Sequence, residues 1–427
     1  MPPLAPDGAP RRREQVAVVG AGVAGLTSAY VLSRDHDVTL IEADARLGGH
    51  AHTHTVDTDS GPLRVDSGFI VHNDRTYPML RRLFRELGVE ARDTEMSMSI
   101  RDEATGTEYA GGRGVKGFLA RPSQLLDRDF VAMLRSVKRF HALARTFLEE
   151  TTDEDATTYG EFIRDGGFPE SFRRLYAVPL VACVWSSGGE DAMDYPARYL
   201  FRFLEHHGML SIGDSPQWMT VVGGSGTYVD LLAEKLHAVR SGDPVTSVLR
   251  TLDGVEIRTS SGRIDHYDRV VMACHADDAL SLLADPTPAE KEVLGAFRYT
   301  RNETVLHRDG SLMPRARLAR SSWNYLVGDP SQGAVVTYWM NRLQGLPAAE
   351  PFYVTLNATG RIDPEKIVAT MQYSHPLYDL AAVRAQRRLP ELSTERTTYA
   401  GAYHGWGFHE DGCRSGVEAA AAFGVTW

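Results

Sequence analysis

The run Val16-Ala17-Val18-Val19-Gly20-Ala21-Gly22-Val23-Ala24-Gly25-Leu26 constrains this chain more than any other segment. It reads as a buried parallel strand that enters a glycine turn and opens a helix. Gly20 permits the tight turn, Gly22 lets a pyrophosphate approach the backbone, and Gly25 lets helix and strand pack closely. The helix N-terminus offers free N–H groups and a positive dipole to phosphate. A second strand, Val38–Ile41, ends in Glu42. That carboxylate falls about 20 residues beyond the turn, where it accepts hydrogen bonds from ribose hydroxyls and repels a 2′-phosphate. The pattern predicts a dinucleotide cradle and disfavours NADP, while Glu42 alone does not separate NAD from FAD.

The continuation Ala43-Asp44-Ala45-Arg46-Leu47-Gly48-Gly49-His50 resembles the E-x-x-x-R-x-G-G segment of the FAD-dependent amine oxidase and desaturase superfamily. The resemblance implies FAD, with Arg46, Gly48 and Gly49 wrapping the pyrophosphate alongside Gly20, Gly22, Ala24, Gly25 and Glu42. At the other end, Gly405-Trp406-Gly407-Phe408-His409-Glu410-Asp411-Gly412 runs into an Ala-rich helix ending near Phe423. It resembles the helix with which the superfamily closes its flavin site, and Glu410 matches the acidic residue placed before that helix. The helix N-terminus would stabilise negative charge developing at the flavin's pyrimidine edge. A third segment, Gly242–Val248, resembles the strand from which a valine, here Val245, contacts the adenine, and Val270–Ala273 resembles a later strand of the same domain.

More narrowly, the chain resembles a bacterial subfamily known as predicted NAD/FAD-binding proteins. The segments that carry this are Asp66–Asn73, His207–Leu210, Pro216–Trp218, Gly223–Ser225, Ser322–Tyr325 and Gly407–Asp411. Gly68, Phe69, Gly407 and Phe408 join the implied cofactor-binding set. His206, Ser215 and Gly226 depart from that pattern, which more usually has Asn at the first position and Arg at the other two. Members often accompany cyclopropane-fatty-acid-synthase-like methyltransferases, which implies a fatty-acyl or other lipid-like substrate and a methyltransferase partner.

The resemblance implies an α/β fold: a Rossmann-type, glutathione-reductase-like FAD-binding domain from residues 14–76, 219–293 and 393–427, with an inserted α+β substrate domain from 77–218 and 294–392. Residues 1–13 read as a disordered leader. The first insertion is mainly helical, with Leu80, Leu83, Phe84 and Leu87 on one face and Phe130, Met133, Leu134, Val137, Phe140 and Phe147 on another. In the second, Val335–Met340 and Tyr353–Leu356 read as strands of a sheet flooring the substrate cavity.

A formal net charge of −10 argues against a nucleic-acid partner. The three cysteines, Cys183, Cys274 and Cys413, lack CxxC spacing and support neither a disulfide framework nor a zinc site. No apolar run approaches the roughly 18 residues of a spanning helix, so a cytoplasmic location is expected. Between Gly111 and Leu148, however, Arg113, Lys116, Arg121, Arg128, Arg135, Lys138, Arg139 and Arg145 face only Asp127 and Asp129. Such a helix either rests on an anionic membrane or pairs with its own domain. His50, His52 and His54 alternate, yet they follow the pyrophosphate glycines directly and lack a cysteine or carboxylate pattern, so no metal is assigned.

Flavin carries the difficult chemistry in such proteins, and the chain supplies position, electrostatics and exclusion of water. The expected reaction moves hydride from a carbon of a largely apolar substrate to the flavin. Tyr403, Trp406 and Phe408 are candidate aromatic walls, with core packing as the rival role. His409 and His207 are candidate bases. Amine oxidation is the alternative, disfavoured by the lack of a lysine between Asn302 and Arg308. A non-catalytic redox or structural partner of a methyltransferase is the alternative of another class.

Overall fold

The computed structural model describes residues 12–111, 117–118, 120–211, 215–328, 333–347 and 349–427. Arg113 and Lys116 of the basic stretch, and residues 1–11 of the expected leader, lie outside the described residues. Arg12 and Arg13 are tied down: Arg12 pairs with Asp268, and Arg13 donates to the carbonyls of Ser33 and His36.

Five parallel strands form the central sheet: β1 (Gln15–Val19), β2 (Asp37–Ile41), β3 (Ala238–Arg240), β4 (Arg269–Met272) and β5 (Thr397–Tyr399), in the spatial order β3-β2-β1-β4-β5. Side chains alternate across a strand, so β1 feeds two separate cores. Val16 and Val18 enter one with Leu26, Leu80, Phe84 and Cys413; Ala17 and Val19 enter the other with Ile41, Val245, Met272 and Tyr403. Helix α1 (Val23–Leu32) follows the glycine turn, and the C-terminal helix packs on it.

Helix α2 (Pro78–Leu87) presents Leu80, Leu83, Phe84 and Leu87 to the first of these cores. This corrects the expected domain limit at residue 77: the apolar face of α2 is spent on the flavin side. The first insertion is also less helical than expected, because Ala91–Thr94, Met98–Asp102 and Glu108–Gly111 are strands. The last two extend a seven-stranded sheet with Trp323–Val327, Val335–Trp339, Tyr353–Leu356, Arg298–His307 and Ile367–Leu377. Short polar-apolar alternations of four or five residues, split by turns, leave little periodicity to read. Helix α3 (Arg128–Glu150) follows, capped by the Asp127 carboxylate and burying Phe130, Met133, Phe140 and Ala144; helix α4 (Ala197–His206) buries Leu200, Phe201, Phe203 and Leu204 in the same core. No helix among the described residues is long and apolar enough to cross a membrane.

Candidate active site

At the glycine turn, Gly20 has φ +102°, a value side chains rarely adopt, and its N–H donates to Ile41 O at 2.8 Å, joining the ends of β1 and β2. A Cβ on Gly25 would sit 1.8 Å from Gly20 O, so only glycine lets α1 start this close to the turn. Gly22 differs: a Cβ there would meet nothing within 4 Å. Its missing side chain leaves an open approach at a helix N-terminus, which is what a pyrophosphate needs. Gly49 closes over the same place, with a Cβ on it 3.2 Å from Gly22 Cα, and Gly48 N–H holds the loop by donating to Ala21 O at 2.8 Å.

Glu42 turns back on this cradle. One carboxylate oxygen accepts from Ala21 N at 2.6 Å and the other from Asp44 N at 2.9 Å. Arg46 donates to Gly49 O at 2.8 Å and so clamps the paired-glycine loop. Gly242 N–H donates to Asp44 O, which brings the start of the Val245 strand beside Glu42, and Val245 is buried with Val19 and Ile41. Gly68 lies against His50, where Phe69 N–H donates to His50 O at 2.7 Å.

The C-terminal helix α5 (His409–Ala422) completes this arrangement. It packs on α1 through small residues: a Cβ on Gly416 would lie 2.5 Å from Ala24 O. Ala24 thus faces α5, and both chain ends converge at the turn. Glu410 lies inside the first turn of α5 rather than before it, and its two carboxylate oxygens accept from Met79 N and Leu80 N, each at 3.0 Å, at the N-terminus of α2. Burial raises its pKa against those two hydrogen bonds. Asp411 returns to Phe408 N at 3.1 Å, and burial pushes its carboxyl up to about 6.

The residues present fit FAD. The features that suit it are the open face of Gly22, the carboxylate of Glu42 bonded to the adjacent Ala21 N, and the buried Nε2 atoms of His50 and His409, which have no hydrogen-bond partner among the described residues. His409 stacks on Phe69 with centroids 3.8 Å apart and planes 14° apart, and burial takes its pKa down to about 3.

Beyond His409 the structure gathers an aromatic group. Phe203 stacks on Phe408 at 5.2 Å and meets His207, tilted by 32°, at 4.0 Å; His207 lies parallel to Trp218 at 6.4 Å; Trp406 stands edge-on to Phe203 at 5.8 Å. Trp185 Nε1–H donates to Trp406 O at 2.8 Å. His207 Nδ1 faces Phe203 O at 2.9 Å, which assigns the ring proton to Nδ1 and leaves the Nε2 lone pair free. Burial brings this histidine down to about 4, so it is neutral at pH 7. Gly407 sits beneath Tyr378. Tyr403 does not join Trp406, Phe408, His207 or His409. It is packed across the sheet against Phe297, which gives it the core role weighed against the catalytic one.

The three alternating histidines also part. His52 and His54 sit 4.0 Å apart, each bonded into a Tyr373–Ser67 hydroxyl pair. His50 turns inward to Tyr373 and His375, at 5.0 and 5.2 Å. The tautomer of His375 is set from a distance. Asn357 donates to Ala334 O and to Asn302 Oδ1, and Asn302 Nδ2 donates to His375 Nδ1 at 3.0 Å, so the proton stays on Nε2. His375, Asn357 and Phe203 were not singled out from the sequence, because nothing local marks them. Asp66 was quoted only as part of a motif; buried, it accepts from Thr53, Ser225 and Gln344 and joins three segments.

A family model for flavin containing amine oxidoreductase matches residues 23–306. The flavin-dependent L-tryptophan oxidase RebO of Lentzea aerocolonigenes is 25% identical over 410 residues, covering 83% of this chain and 82% of its own length. The L-amino-acid oxidase of Notechis scutatus scutatus is 47% identical over a short stretch of 58 residues, 12% of this chain and 11% of its own. Among solved structures, the CLA-producing fatty acid isomerase from P. acnes superposes with a TM-score of 0.70 at 16% identity, covering 96% of this chain and 98% of that one. Cyclohexylamine oxidase from Brevibacterium oxydans IH-35A gives 0.69 at 16% identity, over 96% and 99%. At that identity the superpositions speak for the fold alone. The chain belongs to the flavin containing amine oxidoreductase family, and it is an FAD-dependent oxidoreductase.

Proposed function

We propose that this oxidoreductase removes hydride from a carbon of a largely apolar, acyl-type substrate. The single observation that supports the reading is the group formed by Trp185, Phe203, His207, Trp218, Trp406 and Phe408, which meets the N-terminal end of α5 with apolar surface and neutral rings. FAD, when bound, supplies hydride acceptance there. Gly22, Glu42, Arg46, Gly48, Gly49 and Val245 would hold its adenosine and pyrophosphate portions, and Phe69, Gly407, Phe408 and Glu410 would border the other end. Trp406 and Phe408 orient an apolar chain and exclude water. His207, with its Nε2 lone pair free, accepts the proton released from substrate; His409 stays neutral against Phe69. The methylated lipids made by a methyltransferase of the kind noted above are the first substrates to try.

A second reading, oxidation of an amine or amino acid, is favoured by the likeness to the L-tryptophan oxidase. Against it, the strand Arg298–His307 carries Asn302, bonded to His375, and no lysine from Asn302 to Arg308. Anaerobic incubation separates the two. Flavin absorbance bleached by unsaturated or methylated phospholipids, and not by amines or amino acids, supports the first reading. Bleaching by tryptophan or alkylamines with no response to lipids overturns it.

A further inference from the structure

We propose that the tip made by Pro122–Leu126 and Arg317–Ala319 seats this protein on an anionic lipid surface. Leu126 is 88% exposed, Leu318 55% and Leu125 49%. These leucines are not side chains of an unanchored loop. Glu108, 2% exposed, fixes both segments. Its backbone exchanges hydrogen bonds with the Gln124 amide, at 2.6 and 3.0 Å, and its carboxylate oxygens accept from Arg315 N and Ala316 N, at 3.0 and 2.7 Å. Arg121 pairs with the same carboxylate at 3.3 Å. A buried acid therefore holds two apolar turns side by side, pointing outward.

The charge around them is predominantly positive. Arg128, Arg135 and Lys138 on α3, with Arg315 and Arg317 on the neighbouring loop, are exposed, and none has an ion pair among the described residues. Arg139 and Arg145 are engaged by the carbonyls of Gly166 and Leu210, so only part of the basic stretch is satisfied internally. Of the two acids in this stretch, Asp127 is occupied in capping α3 and Asp129 is exposed in its first turn, against five unpaired cations. This cationic patch belongs to a chain whose formal net charge is −10. Leucines that project from short turns, ringed by unpaired cations, suit insertion among anionic headgroups. Phe130 of α3, which follows the tip in the chain, shares its buried cluster with Trp185 and Phe203 of the aromatic group. The docking requires nothing about the reaction and stands independently of the proposed substrate.

Co-sedimentation of the intact flavoprotein with vesicles tests this. At low salt the protein sediments with equimolar phosphatidylcholine–phosphatidylglycerol vesicles and not with phosphatidylcholine alone, and added salt releases it. Leu126→Glu weakens binding by about tenfold or more, and Arg128→Glu with Arg135→Glu by roughly twentyfold or more. Leu252→Glu, at a 94% exposed leucine on another turn, leaves it unchanged. All four positions are exposed, and flavin colour with an unaltered melt verifies folding. Failure of the wild type to sediment with anionic vesicles, wild-type binding by the Leu126 and Arg128/Arg135 variants, or an equal loss in the Leu252 variant overturns the proposal. So does self-association through the tip that Leu126→Glu abolishes while vesicle binding persists.

Discussion

At the glycine turn the chain works with its backbone, and around His207 it works with side chains. Gly20, Gly22 and Gly25 lie within six residues and act through what they lack, leaving one carbonyl, one open approach and one helix contact. The aromatic group draws on α4, the strand at Trp218, the C-terminal loop and Trp185, residues far apart in the chain and brought together by packing. A site made by local backbone geometry is brittle at single atoms. A site made by packing tolerates change in steps.

The sharpest break is Gly25→Ala. A methyl group 1.8 Å from Gly20 O cannot be accommodated without moving the turn, and about 3 kcal/mol or more of stability is lost. Expression should give little or no yellow protein, and an ordinary yield with an unaltered melt would refute the close-approach argument.

Acid is a second large perturbation, and it acts through buried side chains rather than through the glycine turn. His72, His207 and His375 are held down to about 4, and His404 and His409 to about 3, by burial, against about 6.5 when unfolded. The unfolded chain then binds more protons below 6.5, so stability falls as pH drops from 6.5 toward 4, by up to ~3 kcal/mol per ring. Asp66 and Asp411, raised to about 6, act oppositely: their protonation favours the folded state, and that contribution is lost as pH rises from about 4 to 6. The histidines outnumber them. Urea midpoints should therefore fall steeply below pH 6, and a flat profile from pH 7 to 5 would contradict the buried neutral rings.

Gly22→Ala sharpens the comparison because it separates cofactor from fold. With φ −70° and nothing within 4 Å of its Cβ, alanine fits the apoprotein, whose melt stays within about 2 °C of wild type. The methyl group occupies the phosphate approach, and FAD affinity drops by roughly tenfold or more. Equal loss of melt and affinity would merge the roles of Gly22 and Gly25. The smallest effect is expected from Trp406→Ala. Its carbonyl still accepts from Trp185, FAD occupancy is retained, and affinity for an apolar substrate falls about tenfold. Concurrent loss of flavin would place Trp406 on the cofactor instead.

Much of the flavin side was legible because its requirements are local. A glycine that must avoid Gly20 O or a carboxylate that must end β2 leaves its mark at fixed spacing. The helix α2 was read correctly as amphipathic and assigned to the wrong neighbour, since periodicity identifies an apolar face without saying what covers it. Tyr403, Trp406 and Phe408 stand within six residues, yet Tyr403 packs under the sheet while the other two face α4.

The sequence by itself determined the dinucleotide turn, its acidic partner, the paired glycines and the closing helix, because backbone sterics and helix dipoles act over a few residues. Only the tertiary structure decided which aromatic rings meet, which tautomer His375 holds, and that Glu410 binds the start of α2. Those outcomes depend on contacts between separate elements, 73 residues apart at His375 and 331 at Glu410, where burial and hydrogen-bond partners are set by the packing of whole elements.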